Sequence, residues 1–414
     1  MVERILRINY NCSLSDTGRV AGKVNTPEIS DIAFDVASES IVLLKNENYL
    51  LPLNITKLKR LAVIGANDVQ RQSEGGFTAD VKARYEVSPL EGIRKKAGDK
   101  IEIDFQQGYR EKFFSVDTGG RWPQWYPDPE PDSILIKEAV AAAKNADAVL
   151  LFAGTNRNVE SEGVDRRTLD LPFGQDKLIR AVCAVNPKTI VVVVAGSACN
   201  LNIADSSASA ILYSWFNGSE GGNAIADVIF GSVNPSGKLP FTIPVKLEDV
   251  AAHALNAYPG KNDEVEYKEG ILVGYRWFDT KQIKPRFCFG HGLSYTQFSY
   301  SDPRRNKKVF SEGELVRLRI SVTNEGIIPG KETVQVYVHK NNSGVLRAQK
   351  ELKVFRKIAV QPGEKKTVLF NLSIDDLAYF DNGLNRWVVE PGEYSILFAS
   401  SSEDIRAVTV IEVK

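Results

Sequence analysis

Two different rhythms of apolar residues divide the chain. From about residue 25 to 245 short continuous apolar runs, "SIVLLKN", "LAVIGA", "DAVLLFAG", "TIVVVVAG" and "AILYSWF", alternate with stretches of helical period at about 133–146, 175–185 and 223–230. A short run without polar alternation suits a strand buried on both faces, and such strands alternating with helices make a mostly parallel sheet covered on both sides. A further helix is predicted at the start of this part. Thr26 can cap it, Pro27 opens it, and Ile29, Ile32, Ala33, Val36 and Ala37 lie along one face. The expected fold class is therefore α/β, a mostly parallel α/β sandwich. Ligands in such sheets bind at the carboxyl ends of the strands, where Glu160 and the loop after Trp215 would both lie.

Near residue 300 the rhythm changes to a period of two. "LVRLRISVTNEG" reads as an alternating strand with Leu315, a displaced Leu318, Ile320 and Val322 on the apolar side. "ETVQVYVHK", "KTVLFNLSI" and "GEYSILFASS" are further strands of this type, separated by turns at Pro362-Gly363 and Pro391-Gly392. This predicts an antiparallel β-sandwich of roughly immunoglobulin size. Residues 246–300, between the two parts, are irregular and rich in aromatics and glycine, and are expected to form a packed linker. At the amino end "VERILRI" is a predicted helix whose Val2, Ile5 and Leu6 have no earlier element to cover them. The expected organisation is residues 1–24 as a terminal helix and linker, 25–245 as the α/β part, 246–300 as the packed linker and 301–414 as the β-sandwich.

Charge and composition narrow the function. The 414 residues contain 52 Lys plus Arg and 52 Asp plus Glu. That balance argues against a nucleic-acid partner, since neutralising phosphates requires a basic surplus on one surface. No apolar run is as long as a membrane span, and residues 1–20 lack the apolar core of a signal peptide. Cys12, Cys183, Cys199 and Cys288 are far apart without CxxC spacing, which argues against a zinc site and leaves one disulfide open.

Four stretches are candidates for chemistry, each with a plainer alternative. In "NVESEGVDRRTLDLP" Glu160 sits in a strand-end loop dense in carboxylates, where a neighbouring negative charge could raise the pKa of a general acid. The plainer alternative is a solvated loop in which Asp165 and Arg166 pair with each other. In "WFNGSEGGNAIADVIFG" the amides of Gly218, Gly221 and Gly222 could cradle a phosphate, but the spacing is neither GxGxxG nor a P-loop. A tight strand-to-helix turn with close backbone packing explains the glycines as well. The motifs argue against a serine triad, for GxSxG is missing and His291 in "FGHGLSYT" suits a turn in which the ring satisfies local backbone groups. Finally, "GRWPQWYPDPEPD" places Trp122, Trp125 and Tyr126 in a Pro-rich loop, and Phe77 follows Gly75-Gly76. Exposed aromatic faces suit the apolar C–H faces of sugars, or they pin a loop to its domain.

Several stretches together resemble one family. "SIVLLKNENYLLPL", "LAVIGA", "ESEGVDRRTLDLP", "EGGNAIADVIFGSVNPSGKLPFTIP", "EGILVGYRWFD" and "FCFGHGLSYTQFSYS" are similar to the carboxyl-terminal two thirds of family 3 glycoside hydrolases. "VTNEGIIPGKETVQVYV" and "ELKVFRKIAVQPGE" resemble that family's fibronectin-type-III-like domain. The resemblance implies a retaining β-glucosidase-like activity on a β-linked glucoside or related oligosaccharide, with no metal or organic cofactor. It implies Glu160 as the catalytic acid/base, Asp165 and Arg166 as structural residues beside it, and Phe77 on the leaving-group side. Trp122 and Trp125 are the further candidate sugar contacts. The family's nucleophilic aspartate lies on a (β/α)₈ barrel of about 250 residues. Residues 1–24 are too few for one, and "VERILRI" looks like its closing helix. The nucleophile is thus expected from a barrel domain or chain outside this sequence. A homo-oligomer is expected as an option, because an uncovered barrel-facing surface would favour self-association. Two departures stand out: Cys288 replaces the family's usual proline, and "EGGFTADV" lacks its usual small Gly-Ser run. A non-catalytic carbohydrate-binding or structural remnant of a truncated gene is the main alternative, and a nucleotide-binding module a further one. Localisation is left open.

Overall fold

The structure, a computed structural model, describes residues 2–12, 14, 18, 22–70, 81–116, 124–163, 165–262 and 264–414. Among the described residues eight strands precede residue 214: β1 (Val42–Asn46), β2 (Arg60–Ile64), β3 (Glu102–Gln106), β4 (Phe113–Val116), β5 (Gln124–Pro127), β6 (Ala148–Gly154), β7 (Thr189–Val194) and β8 (Ala210–Tyr213). Six of them form one sheet in the order β1-β8-β7-β6-β2-β3. Every neighbouring pair is parallel except β1 with β8. The continuous apolar runs have the expected cause: β6 and β7 are buried along their whole lengths. Alternate residues feed opposite cores, with Val149 and Leu151 on one face and Leu150 and Phe152 on the other.

The helices are α1 (Val2–Asn11), α2 (Pro27–Ser40), α3 (Pro89–Ala97), α4 (Ser133–Lys144), α5 (Gln175–Cys183), α6 (Asn202–Ser207), α7 (Gly221–Ile229), α8 (Ala251–Ala254) and α9 (Tyr275–Lys281). α3 and β3, the strand that ends the sheet beside β2, were not among the predicted elements. Their signal is the capping box at Ser88 and Glu91, with Pro89 in the first turn. α3 packs on α7 so closely that a Cβ at Gly222 would stand 2.1 Å from the Ser88 carbonyl oxygen, and one at Gly92 equally close to that of Gly222. The glycines are therefore explained by helix contact.

α2 corrects one expectation. Thr26 caps it and Pro27 opens it as predicted. The face that packs inward, however, carries Phe34 and Ala37 and continues to Ile41. Ile29, Ile32 and Val36 stay 42 %, 62 % and 65 % exposed. The helix carries two apolar stripes, and the sheet covers only one of them.

The second part is a sandwich of β9 (Phe298–Arg305), β10 (Val309–Phe310), β11 (Leu315–Asn324), β12 (Gly330–Lys340), β13 (Glu351–Val360), β14 (Lys365–Ser373), β15 (Tyr379–Asp381), β16 (Arg386–Val388), β17 (Gly392–Ala399) and β18 (Ile405–Val413). One sheet has the order β10-β18-β17-β12-β13 and the other β14-β11-β9. Pairing is antiparallel except at the two-residue edge strand β10. In β11 the inward residues are Val316, Leu318, Ile320 and Val322, while Leu315 is half exposed. Leu318 is thus in step, and it is Leu315 that lies on the outer face.

Between the two parts α8 and α9 replace some of the irregular chain expected there. Trp277 and Phe278 pack with Ala251 and Leu272, and Tyr275 stacks on Phe289 while meeting Tyr337 of β12 edge-on. His291 reaches beyond its own turn. Its Nε2 lies 2.9 Å from the carbonyl oxygen of Leu44, so that nitrogen carries the proton, and burial pushes its pKa down. All four cysteines are free thiols. α1 buries none of its side chains. Among the described residues no helix is long and apolar enough to cross a membrane.

Substituting Gly222→Ala should separate α3 from α7 and lower stability by roughly 1–3 kcal/mol in urea unfolding, as overpacking does. Gly22→Ala, where a Cβ meets nothing within 4 Å, is the neutral control.

Candidate active site

The loop after β6 folds into a single tight turn. The Asn156 side chain accepts from the amides of Asn158 (2.9 Å) and Val159 (3.0 Å), and its carbonyl accepts from the amide of Glu160 (2.9 Å). That turn sends Glu160 back toward the carboxyl ends of β6 and β7. Its Oε1 accepts from the Thr155 hydroxyl at 2.6 Å and from the Ser197 amide at 3.3 Å, and its Oε2 from the Gly196 amide at 3.1 Å. Arg166 Nη1 stands 3.9 Å from Oε1, and the glutamate side chain is only 14 % exposed. All four neighbours are donors or cations, the partners that a carboxylate acceptor takes.

The platform beneath the carboxylate is built just as closely. The Ser197 carbonyl accepts from the buried Tyr213 hydroxyl at 2.5 Å and from the Cys199 thiol at 3.6 Å. Burial pushes the pKa of both Tyr213 and Cys199 up, so each remains a neutral donor. A Cβ at Gly196 would lie 2.6 Å from Glu160 Oε2 and 3.2 Å from the Phe216 ring. Only a residue without a side chain admits the carboxylate here.

Asp165 and Arg166 do not pair with each other. Exposed Asp165 accepts from the Tyr258 hydroxyl, tying the loop to the segment after α8. Arg166 Nη1 donates to Ser197 Oγ at 3.1 Å and to the Ala198 carbonyl at 2.9 Å, tying it to the end of β7. Glu162 is exposed. Trp125 lies on β5, paired with Ser115 of β4, so its setting is a β-ribbon and not an irregular loop. It shares a cleft with Val159, Asp165 and Arg166, which brings it beside the Glu160 loop. Phe77 and Trp122 lie outside the described residues. In the Gly218–Gly222 turn the amides of Gly221 and Gly222 are spent on the chain itself, on the carbonyls of Gly218 and Val87. Among the described residues no group of three or more His, Cys, Asp or Glu side chains could hold a metal ion.

Thr155, Gly196, Ser197 and Tyr213 were not foreseen. A signal for three of them was present. β6 runs into Ala153-Gly154-Thr155 and β7 into Ala195-Gly196-Ser197, the same small-residue ending on two adjacent parallel strands.

Comparison with known proteins agrees with this architecture. Residues 41–275 match the model of the glycosyl hydrolase family 3 C-terminal domain, and residues 332–402 that of a fibronectin type III-like domain. The chain is 39 % identical over 423 residues to beta-glucosidase BoGH3A of Bacteroides ovatus, covering 99 % of this chain and 55 % of that protein. It is 41 % identical over 404 residues to thermostable beta-glucosidase B of Acetivibrio thermocellus, covering 98 % and 51 %. Among solved structures, a GH3 beta-glucosidase of Bifidobacterium adolescentis superposes with a TM-score of 0.86 at 36 % identity, covering 98 % of this chain and 56 % of that one. The chain spans about half the length of the curated relatives it matches.

The loop ends where α5 begins, and there a charge opposes the fold. Gln175 bonds both the amide (2.7 Å) and the carbonyl (2.9 Å) of Gly154, fastening α5 to β6. Next to it Asp176 is raised from 3.8 to about 6, first by burial and then by Asp170, against the pull of Arg180. A carboxyl whose folded value lies above its unfolded one favours the folded state when protonated, so its ionisation costs stability as pH rises through 6. Asp176→Asn should therefore raise Tm at about pH 7.5 and give little at about pH 4.5. An equal gain at both would show that ionisation is not the cause.

Proposed function

The chain belongs to glycoside hydrolase family 3, and from that premise we propose that it is the acid/base-bearing part of a retaining exo-β-glycosidase of β-glucosidase type. The observation that carries the reading is the setting of Glu160. Its carboxylate is nearly enclosed, held by one hydroxyl and two amides, with a guanidinium 3.9 Å away. Glu160 protonates the departing glycosidic oxygen, then deprotonates the water that hydrolyses the glycosyl-enzyme intermediate. Asp165 and Arg166 hold the loop at its two anchors. The nucleophilic aspartate comes from a (β/α)₈ barrel facing Glu160, and neither a metal nor an organic cofactor takes part.

In this reading residues 25–245 are the acid/base domain and 246–300 a packed connection. Residues 301–414 are the fibronectin-type-III-like sandwich, and 1–24 go with the barrel. The outer stripe of α2 supports a covering body of that kind. Ile29, Ile32 and Val36 are exposed beside an apolar groove lined by Val36, Ala37, Trp215, Phe216 and Pro240. Exposed apolar patches of this sort mark interaction surfaces. The substrate is a β-linked glucoside or related oligosaccharide, with Phe77 on its leaving-group side and Trp122 and Trp125 as further sugar contacts.

The chain by itself should hydrolyse no aryl β-glucoside, because the covalent route lacks its nucleophile. Robust turnover by the purified 414-residue chain would overturn the split site. With a barrel supplied, Glu160→Ala should slow substrates with poor leaving groups by about 10²–10⁴-fold and activated ones far less. Azide should partly rescue the activated substrate by taking the place of base-assisted water. Gly196→Ala, which displaces the carboxylate, should change the two classes in the same direction. If Glu162→Ala carries this signature and Glu160→Ala does not, the acid/base is the other glutamate.

A further inference from the structure

The β-sandwich has two outer faces, and they are used differently. The five-stranded sheet meets the α/β part and the linker, through Lys331 and Tyr337 of β12 and Lys357 of β13. The three-stranded sheet β14-β11-β9 therefore turns its outer face the other way. With Val316, Leu318, Ile320 and Val322 in the core, alternation puts Arg317 and Arg319 of β11 on that face. Register adds a third cation, for Arg304 of β9 stands directly opposite Arg319. All three are exposed, and none makes a side-chain hydrogen bond or ion pair among the described residues.

The carboxylates of this face do not balance them. Asp302 is taken by Lys365 at 2.8 Å, and that ammonium first, with Arg304 contributing least, holds its carboxyl below the usual range. Glu325, beyond the end of β11, accepts from the Ser299 hydroxyl. Like charges directly opposite each other across a sheet cost stability, and a solvated face normally mixes both signs. A local rule broken with no gain inside the molecule points to a use outside it.

The geometry of the face says what would meet it. Neighbouring strands lie roughly 4.8 Å apart, and alternate residues along one strand roughly 7 Å. Those steps are comparable with one ring of an extended polysaccharide. A guanidinium fork pairs with a carboxylate through two parallel hydrogen bonds. The same rows carry Leu369, opposite Arg319 and 57 % exposed, and Asn371, opposite Arg317. The leucine suits the C–H face of a pyranose, and the amide suits its hydroxyls. Three free cations are few for the phosphate neutralisation on which nucleic-acid binding rests. No outward position of these strands carries an aromatic ring that would seat in a bilayer interface. We propose that the outer face of β14-β11-β9 binds an acidic polysaccharide, a polyuronate, with Arg304, Arg317 and Arg319 pairing its carboxylates. The sandwich then holds the chain on a polymer and leaves the α/β part free on its other side. The assignment does not depend on the role of Glu160.

The 414-residue chain itself serves for the test. It should bind polygalacturonate at low salt, with log affinity falling against log salt at a slope of roughly −2, that of three contacts on a flexible polyanion. Arg317→Thr combined with Arg319→Thr keeps strand propensity and should weaken binding at least about tenfold. Its Tm should stay level or rise, because the opposed charges are relieved. Lys95→Ser combined with Lys100→Ser removes the same charge from the α/β part and should leave the affinity unchanged. No binding at low salt would overturn the proposal. So would equal losses from the two double variants, the behaviour of diffuse charge attraction. Polyglutamate bound as tightly would show that any carboxylated chain suffices and that no sugar is read. Tighter binding to single-stranded DNA or to phosphatidylglycerol vesicles would assign the face to phosphate instead. A lowered Tm with unchanged affinity in the arginine variant would mean that these side chains serve only the fold.

Discussion

The parallel pairing of β6 with β7 is the constraint on which the rest of the site depends. Because the strands run the same way, with Gly154 opposite Val194, the residues just beyond each strand arrive side by side. Thr155 and Gly196 thereby meet across forty-one positions of sequence, and Glu160 closes onto both. An antiparallel pair would carry these two ends to opposite edges of the sheet. Hydrogen bonds to a charged group contribute about 1.5–3 kcal/mol each, enough to hold a nearly enclosed carboxylate that would otherwise be costly to keep from water.

The two parts of the molecule are joined by charge as well as by aromatic packing. Glu39 near the end of α2 meets Lys331 of β12 and Lys357 of β13. Burial works against the charged glutamate, but the two ammonium groups outweigh it and hold its pKa below the usual range. Lys357 is lowered, mainly by its own burial. Tyr275, Phe289 and Tyr337 form a second junction on the linker side. Both junctions engage β12, the strand shared by the sandwich core and the interface with the α/β part. The junctions leave the outer stripe of α2 and the Gly196-Ser197 end of β7 exposed.

Much of the architecture was legible in local pattern. The buried runs of β6 and β7, the cap at Thr26 and the alternation of the sandwich strands depend on residues within one element, where period and turn chemistry act directly. The misreadings occurred where a choice lay between two faces. α2 carries two apolar stripes, and only packing decides which one the sheet takes. In β11 the phase of Ile320 and Val322 holds, but Leu315, apolar yet on the outer face, makes the inward Leu318 look displaced. α3 and β3 went unseen because the short, charged "SPLEGIRKKAGDKIEIDFQ" has little apolar period of its own.

The same division holds for the site. The amino-acid sequence by itself determined an α/β part followed by a β-sandwich, a carboxylate-rich loop at a strand end, and the family resemblance that singles out Glu160. Only the tertiary structure decided what surrounds that glutamate. The Thr155 hydroxyl, the Gly196 and Ser197 amides, and Tyr213 beneath them come from three strand ends far apart in the chain, and nothing local links them. It also decided that Asp165 turns to Tyr258 and Arg166 to the end of β7, where neighbours in sequence had suggested a pair. Long-range contacts of this kind are set by sheet order and strand direction, which no window of sequence contains.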